Sequence, residues 1–361
     1  MGRYLLKRLI LIVPTLLGIM VINFIVVQFA PGGPIEQIAA ELSGFTGGTT
    51  DRVSGTDTAS QIASGSGSPF SGAAGLDPAL LADLEKQFGF DKPLHERFLL
   101  MMWNYLRLDF GTSYFQDRPV VELVVERMPV SISLGLWSLV LIYLVSIPLG
   151  ITKAVRDGQP FDVWTSAVVF VGYAIPGFLF AVLLIVIFAG GSFLEWFPLR
   201  GLTSENFADL SMWGKVTDYL WHITLPVTAL TVGGFATLTM LTKNSFLEEL
   251  SKQFVLTARA KGISDQRVLY GHVFRNAMLI VIAGFPPAFI GILFTGSLLI
   301  EVIFSVEGMG LLGFEAILKR DYPILFGTLF CFTLISLVMQ IVGDLTYVLV
   351  DPRIDFEGRN L

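Results

Sequence analysis

The stretch 243–277, KNSFLEELSKQFVLTARAKGISDQRVLYGHVFRNA, is the longest polar interruption in the second half of a chain that otherwise consists mostly of apolar runs. Its residues Phe246, Leu250 and Phe254 recur at helical spacing, which predicts a short amphipathic helix. Gly262 can adopt the left-handed conformation that ends such a helix. The stretch is therefore predicted to fold locally, between two membrane spans.

A second short helix is predicted to follow the glycine. Ser264 offers a side-chain oxygen to cap the first N–H groups of that helix. The helix would have an apolar and a polar side, formed by Val268, Leu269 and Phe274 and by Arg267, His272 and Arg275 respectively. Two helices with a glycine corner between them would make a compact knob. The alternative is a solvated loop that only carries positive charge.

Composition indicates an all-α polytopic membrane protein. Of 361 residues, 53% are hydrophobic and only 15% are charged, which is too apolar for a soluble domain. Six apolar runs are long enough to cross the hydrocarbon of a bilayer as helices. They are residues 9–29, 130–152, 163–189, 220–242, 278–304 and 323–350. The first run could be a signal peptide, but no small-residue cleavage site follows it, so a retained span is predicted.

The distribution of Lys and Arg predicts that both termini are cytosolic. Segments 1–8, 153–161, 243–277 and 351–361 hold more than half of the 24 basic residues in less than a fifth of the chain. Basic residues concentrate on the cytoplasmic side of membrane proteins. The segment 31–129 is then an external domain, 130–350 a membrane core and 351–361 a cytosolic tail.

The external domain contains a stretch of different composition. Residues 43–75 are dominated by Gly, Ser and Thr, which cannot bury enough apolar surface to offset chain entropy, so a mobile loop is predicted. A helix between Asp77 and Gly89 and another at about 94–108 are predicted to follow it.

Several kinds of chemistry find no support in the sequence. The single cysteine, Cys331, excludes an intrachain disulfide, and the three histidines lie on different segments, so a shared metal site is not expected. The only Gly-Lys pair, Gly214-Lys215, is followed by Val216, so no phosphate-binding loop is present. A net charge of -6 argues against nucleic acid as a partner. No cofactor is expected on this chain.

Few polar residues interrupt the spans. Gln340 and Asp344 share one stripe of the last span, and Thr228 and Thr231 share one of the fourth, so these four are candidate path-lining residues. For Asp344, pairing with a neighbouring Arg or Lys is an equally weighted alternative. For the threonines, hydrogen bonding within their own helix is the favoured alternative.

The run TARAKG at 257–262 is followed by His272 and by Arg275-Asn276-Ala277. Together these residues resemble the cytoplasmic signature of ABC importer permeases of the oligopeptide and dipeptide type. The general signature begins with an acid and alanine where this chain has Leu256 and Thr257. In that family this loop is a coupling helix seated in a groove of the ATPase subunit. The resemblance assigns nine residues to that interface: Thr257, Ala258, Arg259, Ala260, Lys261, Gly262, His272, Arg275 and Asn276.

The resemblance extends over essentially the whole chain. The N-terminal RYLLKRLILIVPTLLGIMVINFIVVQFAPGGP, the external LRLDFGTSYFQDRPV and the loop from Glu301 to Pro323 are similar to the corresponding parts of that family. The ending VDPRIDFEGR resembles the Yej-type branch, whose members import peptides and microcin C.

The resemblance implies a type I importer fold of six spans in the bacterial inner membrane. It also implies a second, different permease, two ATPase subunits or one tandem ATPase that binds ATP and Mg²⁺, and a periplasmic peptide-binding protein. An ion-driven secondary transporter and a membrane enzyme are the competing hypotheses. The first would favour several ionisable groups at mid-membrane, and the second would need convergent titratable groups.

Overall fold

The computed structural model describes residues 2–29, 91–190, 193–294 and 298–350. The loop predicted at 43–75, the helix predicted between Asp77 and Gly89 and the tail 351–361 lie outside these ranges. The described part is mostly helical. Its helices are α1 (Gly2–Phe29), α2 (Leu94–Tyr105), α3 (Val120–Val155), α4 (Pro160–Ala174), α5 (Gly177–Phe188), α6 (Met212–Leu250), α7 (Gln253–Ala260), α8 (Asp265–Val268), α9 (Phe274–Ala283), α10 (Phe285–Phe294), α11 (Leu298–Ile303), α12 (Met309–Lys319) and α13 (Tyr322–Val350).

Among the described residues, five helical stretches are long and apolar enough to cross a membrane: Tyr4–Phe29, Val120–Val155, Met212–Leu250, Asp265–Phe289 and Tyr322–Thr346. A sixth is present if α4 and α5 cross together, although they meet at an angle of 95°. Each of the six predicted apolar runs therefore overlaps one of these helical stretches or the α4–α5 pair.

The third predicted span, 163–189, is not one helix but two. Ile175 is extended, with φ -81° and ψ 120°, and Pro176 precedes α5. A proline ring clashes with a helical conformation at the preceding residue, so the helix ends before Pro176. The fifth predicted span is interrupted at Gly284, although α9 and α10 belong to one helical stretch across it. Pro286 and Pro287 have no N–H to donate to the carbonyls of the preceding turn, which accounts for the break between α9 and α10.

Two helices extend well beyond the predicted apolar limits. The second span was predicted at 130–152, and α3 runs from Val120 to Val155. The fourth was predicted at 220–242, and α6 runs from Met212 to Leu250. Its start is capped by Ser211, whose hydroxyl accepts from the Gly214 N–H at 3.2 Å. Helical hydrogen bonding continues past the point at which the side chains become polar, so hydropathy underestimates the length of both helices.

The described residues form two compact units, and the larger comprises the described parts of Met1–Arg8, Arg127–Leu311 and Ile335–Leu361. It has two apolar clusters. The first joins α3, α6 and the 243–277 segment through Phe246, Val255, Val268, Val273 and Val281, among others. The second joins α3, α5 and α6 to the chain around α11. Its buried residues are Leu134, Ala181, Leu184, Ile223, Leu225, Val227, Ala229, Ile300, Phe304 and Val306.

The smaller unit comprises the described parts of Leu9–Glu126 and Leu312–Leu334 and has an aromatic core. The ring of Tyr105 lies 5.0 Å from that of Phe110 and 5.4 Å from that of Phe330, both edge-on. Such edge-to-face pairs are favoured by the aromatic quadrupole.

A buried carboxylate holds the loop after α2 in this unit. Ser113 donates to Asp321 at 2.5 Å, and the Tyr114 N–H donates to the same carboxylate at 3.3 Å. Burial raises the pKa of Asp321 above its usual value, although these hydrogen bonds act in the opposite direction.

Candidate functional site

The 243–277 segment folds as a helical knob, in a different arrangement from the predicted one. Residues 243–250 are the end of α6, and a separate helix, α7, begins at Gln253. The predicted first helix is therefore split in two. The break lies at Lys252, whose backbone is extended, with φ -74° and ψ 151°.

The glycine corner matches its prediction. Gly262 has a φ of +77°. Its N–H donates to the Arg259 carbonyl at 2.9 Å, and the Ile263 N–H donates to the Ala258 carbonyl at 3.3 Å. This pair of bonds is a Schellman motif, which satisfies carbonyls at a helix end and requires a left-handed residue. Ile263 packs against the apolar cluster below, as the residue after such a glycine commonly does.

Ser264 occupies the N-cap position of α8, but the predicted capping hydrogen bond is absent. The residue has the extended backbone of a cap, with φ -63° and ψ 147°, and its side chain makes no cap bond. Instead, an ion pair closes the corner. The Arg259 guanidinium lies 3.0 Å from Asp265, the first residue of α8. Both side chains are exposed, so this pair contributes little to stability.

A π-helical turn, Leu269–Val273, connects α8 to α9. The Phe274 N–H donates to the Leu269 carbonyl, five residues back. Turns of this kind are rare and occur frequently at functional sites. His272 lies in the turn, and its side chain is exposed.

The knob has a buried side and an exposed side. Val255, Ala258, Val268, Val273 and Ala277 are buried against the end of α6 and against α9. Of the nine residues assigned by resemblance, Ala258 is therefore part of the packing. The other eight are exposed: Thr257, Arg259, Ala260, Lys261, Gly262, His272, Arg275 and Asn276.

The exposed side of the knob is basic. Arg259, Lys261, Arg267 and Arg275 are exposed, and the nearby exposed acids are Glu248 and Asp265. Lys252 is engaged by Glu248 and Glu249, and the hydrogen bond to Glu249 raises its pKa. Electrostatic complementarity therefore favours an acidic partner surface.

The four candidate path-lining residues do not lie together. Thr228 donates to the Thr224 carbonyl at 2.6 Å, and Thr231 donates to the Thr228 carbonyl at 3.0 Å, both within α6. Gln340 and Asp344 line a small cavity of about 230 Å³ beside Arg8 and Pro286. The threonines therefore bond to their own helix, and Asp344 pairs with Arg8. Both observations agree with the alternatives to a path-lining role that the sequence left open.

The structure shows a larger cavity that sequence reasoning missed. It measures about 480 Å³ and lies in the larger unit. Its walls come from α3, α6 and the α9–α10 region, and most of them are apolar. The lining residues include Ser131, Gly135, Tyr143, Gly234, Thr237, Gly284, Ala288 and Gly291. The glycines inside the predicted spans could have indicated this cavity, because residues without side chains leave room between packed helices.

The loop after α11 is built around a buried carboxylate. Glu301 has no exposed surface, and its Oε2 accepts from the Leu311 N–H at 2.7 Å near the start of α12. A Cβ at Gly308 would lie 2.6 Å from this carboxylate, and one at Gly310 would lie 3.1 Å from it. A side chain at Gly308 would therefore force the carboxylate to shift, and one at Gly310 would crowd it. Ser131 also accepts from the Met309 N–H, at 2.8 Å.

Comparison with known proteins identifies the class to which this arrangement belongs. Residues 146–356 match the family described as "Binding-protein-dependent transport system inner membrane component". The chain belongs to this family and is therefore an inner-membrane permease component of a binding-protein-dependent transport system.

The chain is also similar over its full length to individual permeases. The chain is 59% identical over 364 residues to the "Peptidoglycan transport system permease protein YejB" of Agrobacterium fabrum, with 100% of both chains covered. It is 58% identical over 364 residues to the "Inner membrane ABC transporter permease protein YejB" of Escherichia coli O157:H7, covering 99% of this chain and 100% of the relative. It is 32% identical over 368 residues to the "Oligopeptide transport system permease protein AppB" of Bacillus subtilis, covering 99% and 100%.

Proposed function

We propose that this chain is one of two different permease subunits of an ATP-driven importer of peptides. Family membership and two full-length relatives at 58–59% identity support this assignment. A periplasmic binding protein would deliver the substrate. Two ATPase chains, or one tandem ATPase, would bind ATP and Mg²⁺ and supply the energy, since this chain has no phosphate-binding loop.

The proposed topology has six spans with both termini in the cytosol. It counts α4 and α5 as one broken span and places 31–129 outside as the domain that helps to receive the binding protein. The excess of Lys and Arg in the segments assigned to the inside supports it. The 243–277 segment is then cytosolic.

The observation that carries the proposal is the two-sided knob at 243–277. Its apolar side is anchored on α6 and α9, and its basic side is exposed. A solvated loop would not need a Schellman corner, a π-turn and a buried valine layer. A segment that transmits motion needs such rigid features, because it must move as one body with the helices beneath it. We therefore name 243–277 the coupling segment.

The substrate path is proposed to include the 480 Å³ cavity between α3, α6 and the α9–α10 region. Its mostly apolar wall suits the side chains of a peptide, and its few hydroxyls offer hydrogen bonds to amides. In an assembly of two permeases, this cavity would open toward the partner chain, and the substrate would pass between the two.

The names of the relatives indicate which substrates to test. One is named for peptidoglycan transport and another for oligopeptide transport. The chemistry common to both is a short peptide, alone or as part of a cell-wall fragment. Uptake of a labelled oligopeptide, with competition by unlabelled cell-wall peptides and by the peptide antibiotic microcin C, would rank these candidates.

Reconstitution of the complete complex with its binding protein in proteoliposomes tests the coupling role. We expect Gly262→Ala to lower peptide uptake per ATP hydrolysed, because an alanine at positive φ costs roughly 1 kcal/mol and shifts the corner. Gly271→Ala is the matched control, since Gly271 lies in the same segment without positive φ and a Cβ there meets nothing within 4 Å. Equal uptake per ATP in both variants would contradict the proposed role of the corner.

A further inference from the structure

Four charged side chains form a cluster where the end of α3 and the start of α4 meet α6. The Lys153 side chain is fully buried, and those of Asp162 and Lys243 are 7% and 11% exposed. Asp157 lies at the rim and is 53% exposed. Two positive and two negative charges balance one another. The cluster plays no part in the path or the exposed face described above.

Asp162 is the centre of this cluster. One carboxylate oxygen lies 2.9 Å from the Lys153 ammonium. The other lies 2.7 Å from the Lys243 ammonium and accepts from the Gly158 N–H at 3.1 Å. Lys243 also lies 2.7 Å from Asp157. A single aspartate on α4 thus joins a lysine from α3 to a lysine from α6.

Lys153 is satisfied by further oxygen atoms of α4. Its ammonium donates to the Asp162 carbonyl at 2.8 Å, to the Thr165 hydroxyl at 3.0 Å and to the Ser166 hydroxyl at 2.6 Å. Burying an ammonium without such partners is prohibitively unfavourable. The first two turns of α4 therefore provide a dedicated site for this one side chain.

Stability does not explain why charges are placed here. Apolar side chains of similar volume often serve a folded protein as well as a buried ion pair, or better, because they avoid desolvation. Ion pairs differ in being directional, since a small displacement of one partner leaves a buried charge uncompensated. The cluster therefore defines one relative position of the three helices more sharply than apolar packing would.

The backbones of α3 and α6 also approach closely beside the cluster. A Cβ at Gly150 would lie 2.6 Å from Cβ of Thr242 and 2.8 Å from the Thr239 carbonyl. These positions are close in sequence to Lys153 and Lys243. Close packing and ion pairing at the same level leave α3 and α6 little freedom to slide.

We infer that Asp162 is a positioning residue that clamps the coupling segment to α3 and α4. Lys243 is the first residue of the coupling segment, seven positions before α6 ends. When the partner ATPase displaces the segment, the clamp makes α3, α4 and α6 move together as one block. This inference rests on the proposed function, because it assumes that the segment is displaced by a partner.

The test measures peptide uptake and ATP hydrolysis by the reconstituted complex carrying Asp162→Asn, which keeps size and removes charge. We expect uptake per ATP to fall at least about fivefold, the lower range of coupling energies between protein sites. Asp157→Asn makes the same chemical change at the exposed rim and should have a much smaller effect. An assembled Asp162→Asn complex with wild-type uptake per ATP would overturn the inference.

Asp162→Asn leaves the buried Lys153 ammonium without a counter-charge, and a failure to assemble for that reason would not test coupling. The double variant Lys153→Met with Asp162→Leu avoids this problem, because Lys243 keeps Asp157 and no charge is left unpaired. We expect it to assemble and still to lose coupling. If it assembles and couples like the wild type, the cluster is a replaceable part of the core and the inference is wrong.

A distance measurement separates this inference from the proposed function. Spin labels at Gln253 on α7 and Val168 on α4, both exposed, would be placed in a Cys331→Ser background. The clamp predicts a narrow distance distribution that nucleotide does not broaden, and a clearly broader one in the double variant. Equal widths would overturn the clamp. A complex that transports no peptide, yet shows this difference, would count against the proposed function alone.

Discussion

The Arg8 guanidinium lies 3.0 Å from the Asp344 carboxylate, which joins the first helix to the last within the larger unit. The Tyr4 hydroxyl donates to the same carboxylate at 2.9 Å. Asp344 was one of the few ionisable residues within a predicted span and hence a candidate for the path. Because Arg8 compensates its charge, we expect Asp344 to interact only weakly with a passing substrate.

Replacement of Asp344 by Asn tests this conclusion. We expect stability to fall by about 1 kcal/mol, as for a partly exposed ion pair, with no change in the relative uptake of cationic and neutral peptides. The thermal unfolding midpoint of the solubilised complex and competition uptake would measure the two effects. Tyr4→Phe, which removes only one donor, is the control. A changed preference for cationic peptides would place Asp344 in the path.

Filling the larger cavity should block transport without blocking ATP hydrolysis. Ala288 lines this cavity, so Ala288→Trp would place an indole where the substrate is proposed to pass. Phe285→Trp is the matched control, since Phe285 lies on the same helix and is 41% exposed. We expect uptake to be lost only for Ala288→Trp, with binding-protein-stimulated ATPase activity retained in both. Normal uptake by Ala288→Trp would remove this cavity from the path.

Cross-linking tests whether α9 meets the second permease of the proposed assembly. Ile280 is 52% exposed, whereas its neighbour Val281 is fully buried. In a Cys331→Ser background, we expect Ile280→Cys to cross-link to cysteines in the partner permease and Val281→Cys to remain unreacted. Electrophoresis under non-reducing conditions gives the readout. Cross-linking at both positions, or at neither, would contradict an interface along this helix.

Removal of residues 43–75 should leave assembly intact. The stretch is dominated by Gly, Ser and Thr and cannot form a core of its own. A short Gly/Ser linker in its place should therefore yield the complete complex in wild-type amounts, as judged by affinity purification through the ATPase subunit. Replacement of α2 (Leu94–Tyr105) by the same linker is the opposite control, because Tyr105 belongs to an aromatic core. Loss of the complex in the first variant would show that the stretch is structural.

Local signals in the sequence predicted a large part of this architecture. Apolar runs identified the membrane helices because the bilayer requires about twenty apolar residues in succession. Gly262 identified the corner because its left-handed conformation strongly favours glycine. The basic side and the buried side of the knob followed from helical spacing at positions such as Val268 and Arg267.

Features that depend on tertiary packing could not be predicted in the same way. Lys153 directly follows the second predicted span, and nothing in the sequence links it to Asp162 or links Asp162 to Lys243, 81 positions away. Ser264 has the right residue type for a cap, yet Arg259 and Asp265 close the corner instead. Pro176 was one of several prolines in or beside the spans, and only the packed structure shows that it marks a 95° bend.

The π-helical turn at Leu269–Val273 has a consequence for how the length of this segment can vary. A hydrogen bond from Phe274 to a carbonyl five residues back encloses one residue more than an α-helical bond does. Removing one residue there would let the turn close as a regular α-helix while α8 and α9 keep their own faces. A chimaera that exchanges this segment between permeases should therefore tolerate a length difference of one residue at this turn, and at few other places in the knob.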